Sequence, residues 1–226
     1  VPSSTTQVLT PANAHISSQT PFGTGFLRPQ SIDGGTLFVQ ASGTAVREYV
    51  FSDAENSYVG GHVSLLSSHL VDSPIQLAVL SGSLRRSGQY GFFLNGDGNI
   101  SVYYSIRSEK KLGWMNWETN GSFISVCSTG TDLFAVTVRD QGDGTDKLFL
   151  EQFDSDLQLD LSDDYTGSAG VFDVSAVYAD GAEVDVIDGN EYLGNFTVAS
   201  GNVDVSAVKA STSAEIGYKF TPELRT

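Results

Sequence analysis

One cysteine, Cys127, is all that this 226-residue chain has. Alone it cannot form an internal disulfide, so synthesis in a reducing compartment is expected. Its surroundings, Phe123-Ile124-Ser125-Val126-Cys127, alternate and make it a strand residue, either packed or on an outer face. Basic residues are scarce too: 12 Lys and Arg stand against 27 Asp and Glu, a net charge of −15. Such a surface repels nucleic acid unless a basic patch breaks it. The basic pairs, Arg85-Arg86 and Lys110-Lys111, read as solvated turns. No apolar run approaches the ~18 residues of a membrane span, so none is expected. The chain opens at Val1 with no charged and apolar leader, so these residues are not read as a signal peptide. Both ends are expected to be cuts through a longer protein.

What is present is glycine (24 residues) and aromatics (11%), with only 17% charged residues. That mixture calls for many short strands and turns, and it argues against a coiled coil or disorder. One pattern recurs three times. Leu37-Phe38-Val39-Gln40, a turn at 41–44 and Ala45 to Phe51 form the first copy. Tyr90 to Leu94, a turn Asn95-Gly96-Asp97-Gly98-Asn99 and Ile100 to Ile106 form the second. Leu133 to Val138, a turn at 140–145 and Lys147 to Phe153 form the third. Gly, Asn and Asp accept positive φ cheaply, so each copy predicts a β-hairpin. The copies recur about every 40 to 55 residues, the range of propeller blades. Phe38, Phe92 and Phe134 are expected at equivalent core positions.

In chain order, residues 1–35 are rich in Ser, Thr, Pro and Gly and predict an extended arm over a surface. Ser52-Asp53-Ala54-Glu55 predicts a capped helix start, ended by Gly60-Gly61. Val63 to Leu70 predicts a helical turn with Val63, Leu66 and Leu70 on one face. Strands are expected at 75–80, 113–118 and 122–127. Those at 75–80, 91–94, 100–106 and 113–117 group into one four-stranded blade. Those at 123–127, 133–138 and 147–153 begin the next, which a strand from elsewhere would complete. Composition shifts near residue 155. Asp154, Asp156, Asp160, Asp163 and Asp164 read as an acidic linker or loop. Strands at 182–187, 192–198, 203–208 and 214–220 then predict a small β-sandwich or barrel, with the alternation at Val184-Asp185-Val186 implying one buried and one wet face. The expectation is thus an all-β protein: an arm (1–35), a propeller-like β-domain (36–155) and a small β-module (156–226).

Chemistry is sparse. His15, His62 and His69 lack metal-ligand spacing and read as surface or turn residues. The loops Asn95 to Asn99 and Asp140 to Asp146 carry oxygens that could cradle calcium, yet neither has the closing Glu of an EF-hand, and hairpin turns explain both. Trp114 and Trp117, at i and i+3 on a strand, should point to opposite faces. A core Trp plus an edge Trp is favoured over a sugar-stacking ring. Asp163-Asp164 reads as a solvated pair. No nucleophile–base pair or phosphate loop is visible. The chain is therefore not expected to be an enzyme, and no catalytic, cofactor-binding or metal-ligating residue is assigned.

Several runs resemble tail proteins of tailed bacteriophages, above all short-tailed ones. They are Leu9-Thr10-Pro11-Ala12-Asn13, Gln19 to Thr24, Arg28-Pro29, Leu37 to Val39, Gly43 to Asp53 and Val63 to Leu70. Trp114 to Trp117, followed by Gly121 to Val126, is similar to that family's Trp-centred strand and next-blade start. Ile216 to Leu224 resembles its end-of-module pattern. The chain departs from the family in its short length, with fewer blades near its N-terminus, and in the acidic, weakly patterned stretch 155–182. The resemblance implies a virion structural protein of the tail tube, nozzle or tail-stabilising type, assembled in the host cytoplasm. Its implied partners are copies of itself in a ring, other tail proteins such as the adaptor and fibres, and passing DNA held without specific binding. An alternative is a carbohydrate-binding or receptor-binding propeller component of the tail, with Trp114 or Trp117 beside carboxylates.

Overall fold

The computed structural model describes residues 10–12, 18–81, 88–140 and 145–220. It is all-β, with 54% strand and 5% helix. Three meander sheets come first in the chain. The first holds β1 (Gln30–Ile32), β2 (Gly35–Val39), β3 (Val46–Ser52) and β4 (Ser57–His62), in that order. The second holds β5 (Gln76–Leu80), β6 (Gln89–Leu94), β7 (Ile100–Ile106) and β8 (Lys111–Trp117). The third holds β9 (Ser122–Thr129), β10 (Asp132–Asp140) and β11 (Asp146–Gln152), with β10 in the middle. The three expected hairpins and the grouping of the second sheet are all present. No fourth strand joins β11 among the described residues.

Strand alternation sorts side chains to opposite faces, and here it builds a stack. Leu37, Val39 and Val46 of the first sheet pack against Phe93 and Tyr103 of the second. Phe92, Leu94, Ile100 and Val102 leave the other face of the second sheet and meet Phe123, Val126, Leu133 and Ala135 of the third. The second sheet is therefore covered on both faces, and its strands are nearly continuously apolar for that reason. The first strands of successive sheets also meet, β1 with β5 and β5 with β9.

This layering corrects the expected equivalence of three phenylalanines. Phe92 is buried between sheets. Phe38, between the inward Leu37 and Val39, lies outside that core cluster and points away from the stack, yet is buried. Phe134, between the inward Leu133 and Ala135, is only half-buried on the far face.

Part of the arm is ordered as sheet. Residues 30–32, expected within the arm, form β1 and pair with β2. Upstream, the Gly25 amide donates to the Val39 carbonyl (2.7 Å) and the Ala41 amide to the Gly23 carbonyl (2.9 Å). The helix expected from Ser52 does not form. The Glu55 amide does donate to Ser52 Oγ (3.4 Å), but the bond closes a tight turn, with Asn56 at φ 47°, that leads into β4. Gly60 and Gly61, expected as a helix stop, lie inside β4. A Cβ on Gly60 would sit 3.0 Å from Thr20 Oγ1, so the arm needs the bare backbone there. Leu65–Leu70 is the short helical segment foreseen, a 3-10 helix. Its face differs from expectation, since Leu66 is 93% exposed.

After Phe153 the chain builds separate sheets. β12 (Asp160–Thr166), β17 (Ser213–Tyr218), β14 (Glu183–Asp188) and β15 (Glu191–Thr197) form one, in that order. β13 (Val171–Asp173) and β16 (Asn202–Asp204) form another. Phe172, Val174, Tyr178, Val186, Val205 and Ile216 lie in the shared core. The acidic stretch read as a linker is thus partly strand β12, antiparallel to β17. Leu161 and Tyr165 pack on the core while Asp163 and Asp164 face solvent. The strand expected over 203–208 ends at Asp204, and a turn follows. The wet face expected on β14 is absent. Asp185 is buried and takes a hydrogen bond from Asn195 Nδ2 (2.8 Å).

This unit is an internal duplication. Residues 160–179 align position for position with 191–210, and Asp-Val-Ser-Ala-Val occurs at both 173–177 and 204–208. Phe172 and Val203, equivalent in the two copies, are paired partners. The Val174 amide donates to the Gly201 carbonyl (2.9 Å), and the Val205 amide returns the bond to Gly170 (2.7 Å). Such reciprocity is what a local two-fold axis produces. The copies differ at one telling position. Tyr178 is buried, its hydroxyl donating to the carbonyls of Leu161 and Ile216. Its counterpart Lys209 lies at the surface, paired with Asp188 (2.8 Å) and Glu191 (2.9 Å).

Candidate functional site

The residues considered for chemistry scatter. His62 sits on β4 within 3.3 Å of Ser64 Oγ, and His69 lies in the 3-10 segment. Burial, and then the charge of Arg47, holds the His62 imidazole below its usual range. His15, Arg85, Arg86 and residues 141–144 of the second candidate calcium loop lie outside the described residues, as do the ends of two runs in the family resemblance (Leu9, Asn13 and 221–224). In the first loop, Asn95 Nδ2 donates to the Leu70 carbonyl (2.9 Å) and Ser101 Oγ (2.8 Å). Asp97 accepts from the Asn99 amide (3.0 Å) and from Asn99 Nδ2 (3.1 Å). Both side chains are used up in holding the turn. Among the described residues no group of three or more His, Cys, Asp or Glu is arranged to hold a metal. Cys127 is exposed on β9.

Trp114 and Trp117 do point to opposite faces of β8. Trp114 packs on Phe93 (5.5 Å between ring centroids) and Tyr103 (5.1 Å), and its Nε1 donates to the Val63 carbonyl (2.9 Å). Trp117 packs on Phe92 (5.3 Å) and Phe153 (4.7 Å). Each indole helps seal one of the two layers between sheets.

A recess of about 420 Å³ opens beside β12 and β17, with Asp154, Asp156, Asp163, Asp164, Tyr165 and Glu215 in its wall. Burial, then the charge of Asp163, pushes the Tyr165 phenol up to about 12. Glu215 is buried, but its Oε1 accepts from the amides of Gln158 (2.6 Å) and Leu159 (2.7 Å) and so anchors the chain entering β12. Its wall also carries the hydroxyls of Tyr165, Thr166 and Ser213.

Two polar junctions went unforeseen, the first half-buried and the second centred on a buried arginine. At the first, the Arg107 amide and Nε donate to Asp33 (2.5 Å to Oδ2, 2.7 Å to the carbonyl), and its guanidinium pairs with Glu48. This ties the first sheet to the second. A Cβ on Gly35 would lie 2.9 Å from Arg107 Nη2 and 3.0 Å from Glu48 Oε1, so a side chain there would have to push the pair aside. At the second, the Arg139 side chain is wholly buried. It holds Glu151 (3.0 and 2.9 Å) and Asp160 (2.8 and 2.9 Å), each by two hydrogen bonds. Burial alone would push the Asp160 carboxyl up. The hydrogen bonds and charge of Arg139 more than offset that and hold it below its usual range. The junction clamps β10 and β11 to β12. Its sequence signal is parity: Leu133, Ala135 and Thr137 point inward, and Arg139 continues the inward series.

The two ends of the stack remain. On the third sheet, Phe134, Val136 and Val138 of β10 share the outer face with Leu148 and Leu150 of β11, cross-strand partners Val136–Leu150 and Val138–Leu148 lying side by side. Leu148 is 68% and Leu150 76% exposed. Among the described residues, carboxylates stand at the margins of this strip, Asp132 at one end and the cross-strand neighbours Asp140 and Asp146 at the other. At the opposite end of the stack, Phe38, Arg47, Tyr49, Phe51, Tyr58 and His62 share the outer face of the first sheet. Tyr49 stacks on Tyr58 (4.8 Å), Phe51 meets Tyr58 edge-on (5.3 Å), and Arg47 lies over the Phe22 ring (3.3 Å). Phe51 and Tyr58 remain nearly half exposed.

Neither a protein-family model nor a curated protein matches this sequence.

Proposed function

We propose that this chain is a structural component of a bacteriophage tail, of the tube or nozzle type. It forms part of a ring through which the genome leaves the particle. The observation that carries the reading is the open stack: three face-to-face sheets, the last of which leaves Leu148 and Leu150 exposed on an apolar outer face. Large exposed apolar faces mark sites of assembly. The three meanders, joined in series through their first strands, support a propeller-like reading with each sheet a blade. The duplicated unit that follows supports the reading of a small β-sandwich module.

The remaining features agree with this role. The residues considered for chemistry are spent on turns and packing, as expected of a wall. The net charge of −15 keeps DNA from adhering as it slides past, since like charges repel. The arm, which already adds backbone bonds along β2, lengthens a surface on which adaptor or fibre proteins can build. The rival carbohydrate reading asks for Trp114 or Trp117 as an open stacking ring, and both indoles are engaged with neighbouring aromatics. Gold-labelled antibody against the chain, applied to purified particles, tests the assignment. Label on the tail below the capsid is expected. Label absent from particles, with the chain free in the lysate, would refute it.

A further inference from the structure

We infer that Asn120 is a self-modification site: its side chain closes onto the Gly121 nitrogen, and the isoaspartate that results loosens the Arg139 clamp between the third sheet and the duplicated unit.

Asparagine followed by glycine is the pair most prone to this reaction, because glycine has no Cβ to hinder its own nitrogen. The chain has two such steps, Asn95-Gly96 and Asn120-Gly121. The fold protects the first. Asn95 is buried, its Nδ2 donates to the Leu70 carbonyl (2.9 Å) and Ser101 Oγ (2.8 Å), and the Gly96 amide donates to the Asp72 carbonyl (3.3 Å). Leaving group and attacking nitrogen are both held there. Asn120 and Gly121, by contrast, are exposed. Among the described residues no hydrogen bond engages the Asn120 side chain or the Gly121 amide. Position 121 also admits no other residue. Its φ is 138°, and a Cβ there would lie 2.1 Å from the Val138 carbonyl oxygen and 3.1 Å from Arg139 Cα. The fold itself therefore imposes the reactive step.

The chemistry needs only water. The Gly121 nitrogen gives its proton to solvent and attacks Asn120 Cγ. The bond from Cγ to Nδ2 breaks, ammonia leaves, and a cyclic succinimide remains. Water opening the ring at the side-chain carbonyl gives aspartate on an ordinary main chain. Opening at the main-chain carbonyl gives isoaspartate, with the chain now running through the β-carbon. The place matters because the Asn120 main chain belongs to the clamp. Its amide donates to Asp160 Oδ2 (3.2 Å), and its carbonyl accepts from Arg139 Nη1 (3.3 Å). Isoaspartate adds a methylene to the main chain where Gly121 is pressed against Val138. It also leaves a third carboxylate beside Arg139, which already holds Glu151 and Asp160. Like charges brought together at one half-buried site destabilise it.

Ageing the full chain in mildly alkaline buffer tests this, read by mass-spectrometric peptide mapping and by methyl labelling with an isoaspartate methyltransferase. Asn120 should convert at least tenfold faster than Asn95. Asn120→Gln closes the ring far more slowly and, at an exposed position, should fold normally. It should remove the methyl label from the peptide that holds residue 120. Equal conversion at the two asparagines, or no label on that peptide in the aged wild type, overturns the site. Urea unfolding of the separated isoaspartyl fraction reads the clamp. Its midpoint should fall below that of fresh chain, whereas Asn120→Asp, which keeps the ordinary main chain, should unfold close to wild type. An isoaspartyl fraction as stable as fresh chain overturns the link to the clamp.

Discussion

Arg139→Met tests how the sheet stack is held to the duplicated unit. The guanidinium is wholly buried and makes hydrogen bonds to Glu151, Asp160 and the Asn120 carbonyl. Methionine fills most of the volume but leaves two carboxylates facing each other without a cation. Removing one partner of a buried ion pair costs about 3–5 kcal/mol, because the remaining charge is uncompensated. Glu151 and Asp160 keep 18% and 21% exposure, so water relieves part of the penalty, which puts the loss near ~3 kcal/mol. That is a large share of the ~5–15 kcal/mol of an ordinary domain. Urea unfolding followed by the fluorescence of Trp114 and Trp117 measures it. The triple variant Arg139→Met, Glu151→Gln, Asp160→Asn should recover at least half the loss, since no charge is then stranded. The acid side gives an independent reading. Asp160 is depressed in the folded chain, so its contribution is present above its unfolded pKa of about 3.9 and is lost as pH falls through the lower folded value. Relative to Asp160→Asn, the wild type should lose its advantage only below about pH 4. An Arg139→Met chain within ~0.5 kcal/mol of wild type, the range of ordinary surface changes, would refute the reasoning.

Phe92→Ala, between two sheets, should cost about 3–5 kcal/mol in urea unfolding, whereas Phe134→Ala on the open face should cost about 1 kcal/mol or less. Tyr178→Phe should cost about 1–2 kcal/mol by removing the donor shared by the Leu161 and Ile216 carbonyls, again read by urea unfolding. Burial raises both Tyr165 and Tyr178, so their neutral phenols stabilise the fold below about pH 10, and that stability is lost as pH rises toward 12; an alkaline unfolding transition in that window, weakened in Tyr178→Phe, is the expected result. Gly35→Ala should cost about 1–3 kcal/mol, seen as a lowered thermal midpoint, because its Cβ meets both Arg107 and Glu48. Duplex DNA at physiological salt should show no binding by fluorescence anisotropy.

The local signals in the sequence carried the front half of the fold well. Tyr90 to Ile106 was legible as a hairpin because Asn95-Gly96-Asp97-Gly98-Asn99 admits little but a turn. Where local chemistry was ambiguous, tertiary context decided. Ser52 with Glu55 fits a helix cap and a tight turn equally, and pairing of β3 with β4 selected the turn. Asp160 to Thr166 looked like a linker because four of its residues are Asp or Ser beside only two large apolar ones. The strand there depends on Arg139, twenty-one residues earlier in the chain, to neutralise Asp160. The duplication was legible all along in the repeated Asp-Val-Ser-Ala-Val, but short strands with differing partners hid it. The open faces were half legible. Leu148 and Leu150 alternate as a one-sided strand should, yet only the stacking of the other sheets reveals that this side is left uncovered.

The central claim is a ring built by repeating one contact around a DNA channel. Single-particle electron microscopy of the intact particle tests it most directly. The account predicts a closed symmetric ring of this chain around an axial channel, with the exposed Leu148 and Leu150 of each copy covered in the assembled particle. A chain found outside any symmetric ring, or with its third-sheet face open to solvent in the assembled particle, would contradict it.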